Sequence, residues 1–223
     1  MKIRLLDIAW NNQYLNIPQS VGQKVALYAM KKHLAYYIWN ISQYRKNPYT
    51  YPEIITQLDG ISVGGHRIDD AYEITNLIDT SNRLMQMILR GRFKLDKDTF
   101  SLINSTLTRN DAPQPGSFGI SSTALDTIFH EAIQIISNLP AFEGALAIFL
   151  LTSRYQFFDH GNKRTGLFMM NGWLIQHGYE AISIPGVKKD DLDGILARFI
   201  ASNDGTELMR FLSRCNLNQQ PDE

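Results

Sequence analysis

Residues 156–164, Gln-Phe-Phe-Asp-His-Gly-Asn-Lys-Arg, crowd a carboxamide, a carboxylate, an imidazole, a glycine and two cations into one short segment. A turn that feeds a helix N-terminus leaves several backbone N–H groups without partners and adds the positive end of the helix dipole, so it attracts anions. Gly161 can take the positive φ that lets consecutive amides converge. Asn162 is expected to cap the helix, and Lys163 and Arg164 supply charge-assisted donors. The pattern suits a phosphate. The plainer alternative is a capped helix whose two cations are merely solvated. Basic side chains in a first turn oppose the dipole by about 0.3–1 kcal/mol each, so without an anion their presence needs another reason.

The elements that would hold this turn are two apolar helices. Pro140 suits a first turn because its missing N–H would be unpaired there, and Phe142, Leu146, Phe149 and Leu150 form a stripe up to Arg154. A second stripe, Leu167, Phe168, Met170, Trp173 and Leu174, runs from Asn162 to His177 and stops at Gly178. Apolar spacing of three and four residues predicts further helices over 21–44, 69–89, 97–107, 126–137, 190–201 and 206–215. Lys46–Pro52 reads as a break, because each proline disfavours helical geometry in the residue before it. Residues 108–125, rich in turn formers, read as a surface flap or short hairpin. The expected class is mainly α with a small β element.

The chain has 223 residues, 44% hydrophobic and 20% charged, with 22 basic residues balancing 22 acidic ones. That balance gives no electrostatic case for general nucleic-acid or anionic-membrane binding, so any basic site must be local. The single Cys215 excludes an intramolecular disulfide, and the longest apolar run, 145–151, is far short of the roughly 20 residues of a membrane span. A cytoplasmic setting is expected, although a specialised secretion route would leave no mark that hydropathy reads. His130–Glu131 lacks the second histidine of a zinc-protease helix, since position 134 is Gln. His33, His66 and His177 have no metal-ligand spacing. Cys215, Trp173, Met169 and Met170 read as packing groups.

Residues 140–179, PAFEGALAIFLLTSRYQFFDHGNKRTGLFMMNGWLIQHGY, resemble the core of the Fic (Fido-fold) family. Its signature is a histidine, an aromatic two residues later, an acidic residue, then Gly-Asn-x-Arg. Phe158, Gly161, Asn162, Lys163, Arg164 and Thr165 match. PGSF at 115–118 resembles the family's target-binding flap, and FIASNDGTELMRFLSRC at 199–215 its closing helix. The resemblance implies a Fic helical fold with a small β-hairpin flap. It divides the chain into a helical extension over 1–105, a Fic core over 106–215 and a tail over 216–223.

The family resemblance implies transfer of a nucleotide monophosphate, usually AMP from ATP, to a protein hydroxyl (AMPylation). The histidine serves as base, the acidic residue holds Mg²⁺, and the Gly-Asn turn and arginine bind phosphates. Gly161, Asn162, Lys163 and Arg164 are therefore the expected nucleotide-binding residues. Gly116, Ser117, Phe118 and Gly119 are expected to belong to a flap, residues 115–122, on which a target protein docks.

This chain departs from the signature. Gln156 stands at the base position, and a carboxamide cannot take up a proton near neutral pH. His160 stands at the metal position, where an imidazole suits Mg²⁺ poorly, and Asp159 is one residue early, so Mg²⁺ is doubtful as a cofactor. Leu167 replaces a second arginine. The family's self-inhibitory Ser-x-x-x-Glu-Gly helix aligns best with residues 60–66, where Gly60 and Gly64 replace the serine and glutamate, which implies that the brake is missing.

Three readings follow. The first is a protein that keeps a phosphate-binding turn for ATP or another nucleotide but not ordinary AMP transfer. The second is a transferase of AMP or another phosphate-linked group using His160 or Asp159. The third is a non-catalytic interaction domain. The target and oligomeric state are not legible.

Overall fold

The computed structural model describes residues 1–119 and 123–217. It opens on a tight hairpin, β1 (Lys2–Leu5) antiparallel to β2 (Ile8–Asn11), with Leu5 opposite Ile8 and Leu6 turned through φ 56°. Ten helices follow among the described residues. These are α1 (Gln23–Lys32), α2 (Leu34–Gln43), α3 (Tyr51–Leu58), α4 (Ile68–Leu89), α5 (Lys97–Leu107), α6 (Thr123–Ser137), α7 (Ala141–Tyr155), α8 (Asn162–Gln176), α9 (Lys189–Ser202) and α10 (Thr206–Leu212).

The centre is α7 against α8, around which α4, α5, α6, α9 and α10 are packed. Every residue of α7 from Phe142 to Ser153 is buried, as is α8 from Arg164 to Gly172, so neither helix keeps a wet face. Their backbones come close because Gly166 faces Thr152. A Cβ on Gly166 would lie 1.9 Å from Thr152 Oγ1.

Mainly α architecture with one small hairpin agrees with the sequence expectation, but the hairpin stands at the N-terminus. Residues 115–119 form turns and bends without a strand, and Ile120, Ser121 and Ser122 of the expected flap lie outside the described residues, as do 218–223 of the tail. The helix expected over 21–44 is two, kinked at His33 (φ −103°, ψ 16°).

The break at 46–52 is real, yet α3 begins inside it. Pro52 falls in the first turn, where no N–H is needed, and Glu53 reaches back to the Thr50 N–H at 2.7 Å. The hairpin went unread because its strands are only four residues long. Its inward Leu5, Ile8 and Trp10 are fully buried.

Candidate functional site

Gln156 ends α7 in the left-handed region (φ 47°, ψ 67°), exposed, and swings the chain across the start of α8. Such a conformation costs a non-glycine residue about 1–2 kcal/mol, so the neighbouring contacts must impose it. They come from two segments remote in the sequence. Arg154 and the Tyr155 hydroxyl both bond to Asp7 in the hairpin turn, the first at 3.3 Å. On the other side, the Gly119 N–H donates to the Phe157 carbonyl at 2.7 Å, and Phe118 stacks on Phe157 with centroids 5.1 Å apart.

The turn is then closed by two asparagines. Asn162 was expected to cap α8; instead its Oδ1 accepts from the Phe158 N–H at 2.9 Å and its Nδ2 donates to the Phe158 carbonyl. Gly161 is the N-cap, with φ 77° and no capping side chain. Among the described residues, the first amides of α8 therefore have no capping side chain and, by their position, no intrahelical partner.

From α5, Asn104 Nδ2 donates to the His160 carbonyl at 2.8 Å and to Thr165 Oγ1 at 3.0 Å, while its Oδ1 accepts from the Gly116 N–H at 3.0 Å. This one buried amide ties α5, the turn, α8 and the 115–119 segment together. Gly161 is required twice. Its φ is positive, and a Cβ would lie 2.7 Å from Thr108 Cγ2.

A cleft of about 510 Å³ opens on the turn, lined by Gln156, Asp159, His160 and all of Gly161–Arg164. The structure thus brings those expected residues together. Gly116, Ser117, Phe118 and Gly119 are not on its wall; they lie behind the turn, where Phe118 packs on Phe129, Phe157 and Phe158. Phe149, Leu167, Ile184 and Leu192 give the cleft an apolar side, and Ser153, Arg45, Asp111, Lys189 and Asp193 add polar groups that the motif did not announce.

The two cations differ sharply. Lys163 is exposed, with Nζ 3.5 Å from Asp193, which also holds Lys189 at 2.6 Å. Arg164, expected as a free phosphate donor, has a side chain only 10% exposed and bonded to Glu73 of α4 at 3.3 Å and to Asp111 at 3.0 Å. It therefore has a structural reason to be there. Arg45 completes the cluster by bonding both oxygens of Asp111. Asn47 donates to Glu73 at 3.0 Å.

Burial pushes the Glu73 carboxyl up, and Asn47, Arg164 and Arg45 offset this only in part. Burial also acts to raise Asp111, but Arg45 and Arg164 together outweigh it and hold that carboxyl below its ordinary range.

No protein-family model matches the sequence, and no curated protein matches it. Solved structures do match the fold. A Fic domain-containing signaling protein from Bacteroides thetaiotaomicron superposes with a TM-score of 0.64 at 18% identity, over 86% of this chain and 80% of that one. Fic-1 from C. elegans gives 0.71 at 12%, over 85% of this chain and 62% of its own, and a Fic family protein from Desulfovibrio desulfuricans G20 gives 0.61 at 12%, over 89% and 73%.

This chain has the Fic fold.

Within this Fic fold, the turn at 156–164 joins the two central helices. Asp159 is the only carboxylate of the turn, and no group of three His, Cys, Asp or Glu side chains arranged to hold a metal occurs among the described residues. Of the polar groups that sequence reading missed, only Lys189–Asp193 carried a signal, as an i,i+4 pair on a helix. Glu73 and Asp111 lie 91 and 53 residues from Arg164, and no local spacing points to them.

Proposed function

We propose that this Fic-fold chain binds a phosphate-bearing ligand, a nucleotide by resemblance to the Fic family, and does not perform ordinary AMP transfer. The observation that carries the binding half is the uncapped N-terminus of α8, whose amides and exposed Lys163 open on the cleft. An uncapped helix start favours an anion through its free N–H groups and its dipole, and a neighbouring cation adds to that attraction. The second half rests on Gln156, which sits at the lip of the same cleft and has no proton-accepting nitrogen or carboxylate. Loss of a general base removes the 10²- to 10⁴-fold that such a group typically supplies.

Docking of a target protein beside the 115–119 segment, also by resemblance, is compatible with the way Asn104 and Phe157 anchor that segment to the turn.

Calorimetric titration with nucleotides, together with incubation in lysate with ATP labelled at the α-phosphate, tests this reading. The expected result is nucleotide binding that Lys163→Ala weakens, no label transfer by the wild type, and transfer gained in Gln156→His. Transfer by the wild type that disappears in His160→Ala or Asp159→Ala would overturn it in favour of a transferase with a relocated base. Absence of binding to every phosphate compound would leave a non-catalytic interaction domain.

A further inference from the structure

The charge pairing inside the cleft bears on how many phosphates it can hold. A phosphomonoester carries roughly −1.5 to −2 charges at neutral pH and a triphosphate about twice as much. The cleft offers four cations, Arg45, Lys163, Arg164 and Lys189, against Asp111, Asp159 and Asp193, with Glu73 directly behind Arg164. Each of these cations already has a carboxylate partner.

Those partnerships are not equally easy to break. Lys163 and Asp193 are 61% and 45% exposed and 3.5 Å apart, a pair that solvent screens and an incoming phosphate displaces readily. Arg164 and Glu73 are 10% and 8% exposed, so releasing Arg164 to a second phosphate would strand a buried carboxylate. One phosphate is therefore served by the α8 amides and Lys163, whereas Arg164 is not free to serve the next.

The rest of the cleft suits an uncharged body. Leu167, Phe149 and Leu192 are apolar, and Ser153, 5% exposed, has an Oγ with no hydrogen-bond partner among the described residues. A helical serine ordinarily returns its hydroxyl to the carbonyl four residues back, but the Phe149 carbonyl accepts from Thr152 Oγ1 at 3.1 Å. Ser153 thus lines the cleft with its hydroxyl buried and unsatisfied, one turn before Gln156, so that rotation about χ1 can turn it to a ligand.

We infer that the cleft selects a ligand with a single phosphate on an uncharged body, a nucleoside monophosphate or similar phosphomonoester, over a nucleoside triphosphate, with Ser153 contacting the uncharged part. This rests on the phosphate-binding reading above.

Titration of the full chain with AMP, ADP and ATP, and with the uridine series, at fixed ionic strength and with EDTA, tests it. The monophosphate is expected to bind at least about tenfold tighter than the triphosphate in one series or both. Asp193→Asn, which frees two lysines, is expected to narrow that ratio by strengthening triphosphate binding. Ser153→Ala should weaken the monophosphate about three- to tenfold while leaving the melting temperature of the free protein unchanged or higher, because it removes an unsatisfied buried hydroxyl.

Triphosphate binding as tight as or tighter than monophosphate overturns this inference and leaves the phosphate-binding reading standing. Unchanged monophosphate affinity in Ser153→Ala overturns the role given to that side chain. No binding in either series overturns this inference, and no binding of inorganic phosphate in the same titration overturns the phosphate-binding reading as well.

Discussion

Arg164 is a phosphate-motif residue that the fold also uses as a tie, and its two roles make opposite demands. Its guanidinium joins α8 to Glu73 of α4 and to Asp111 beyond α5. Arg164→Ala should therefore lower stability by about 3 kcal/mol, because it leaves the buried Glu73 carboxylate with only Asn47 and the edge of Arg45. Urea denaturation of the variant checks this, and a loss below about 1 kcal/mol would mean that the cluster contributes little.

The cluster also carries a pH signature. The Glu73 carboxyl is raised in the folded state, so its contribution to stability is full below the ordinary glutamate range and fades as pH rises through the folded value. Asp111 is lowered and acts with the opposite sign, contributing above the ordinary aspartate range and fading as pH falls. The stability advantage of wild type over Glu73→Gln is therefore expected to grow as pH is lowered from 7 toward 5, measured by urea titration at each pH. Arg45, Arg164 and Asp111 are the charged groups that face Glu73, and they are the same in both proteins.

Among elements, the pairing of α7 with α8 decides where the turn can lie. The approach of the two backbones is set by Gly166 against Thr152, so Gly166→Ala should cost about 2 kcal/mol through overpacking, and Gly166→Ala with Thr152→Ala should recover part of that loss. Thermal or chemical denaturation of the pair of variants measures the coupling, and additive losses would place the strain elsewhere. The same approach made α7 and α8 legible in the sequence, since helices buried on nearly every side read as dense apolar stretches. The start of α3 was not legible, because the proline that signals a break also suits a first turn. The kink at His33 has no proline or glycine to announce it.

For the molecule as a whole, the N-terminal hairpin and the helical core depend on each other. Trp10 Nε1 donates to Glu143 Oε1 at 2.6 Å, inside a contact where Trp10 is fully buried and Glu143 is 2% exposed. The Ala9 N–H donates to the Asn203 carbonyl and the Gly205 N–H to the Ala9 carbonyl, so the hairpin also seats the connection between α9 and α10. Trp10→Phe should lower stability by about 2 kcal/mol by leaving the Glu143 carboxylate with only Asn12, and Trp10→Phe with Glu143→Leu should restore part of it. Chemical denaturation of the three proteins reads this cycle. Because Asp7 in the same hairpin holds Arg154 and Tyr155, loosening it is also expected to loosen the backbone that enters Gln156.

Sequence alone determined the features that depend on neighbours along the chain. Apolar periodicity placed most of the helices, Gly161 marked the turn of positive φ, and Gln156 and His160 fixed which side chains stand in the motif. Tertiary structure decided what those side chains face. Asn162 turned back to Phe158, the α8 amides stayed uncapped, and Arg164 was taken up by carboxylates from two distant segments. The reason is range. A helix or a turn is set by dihedral preferences and burial over a few residues. The charge balance of a cleft is set by which remote segments the core packs beside it.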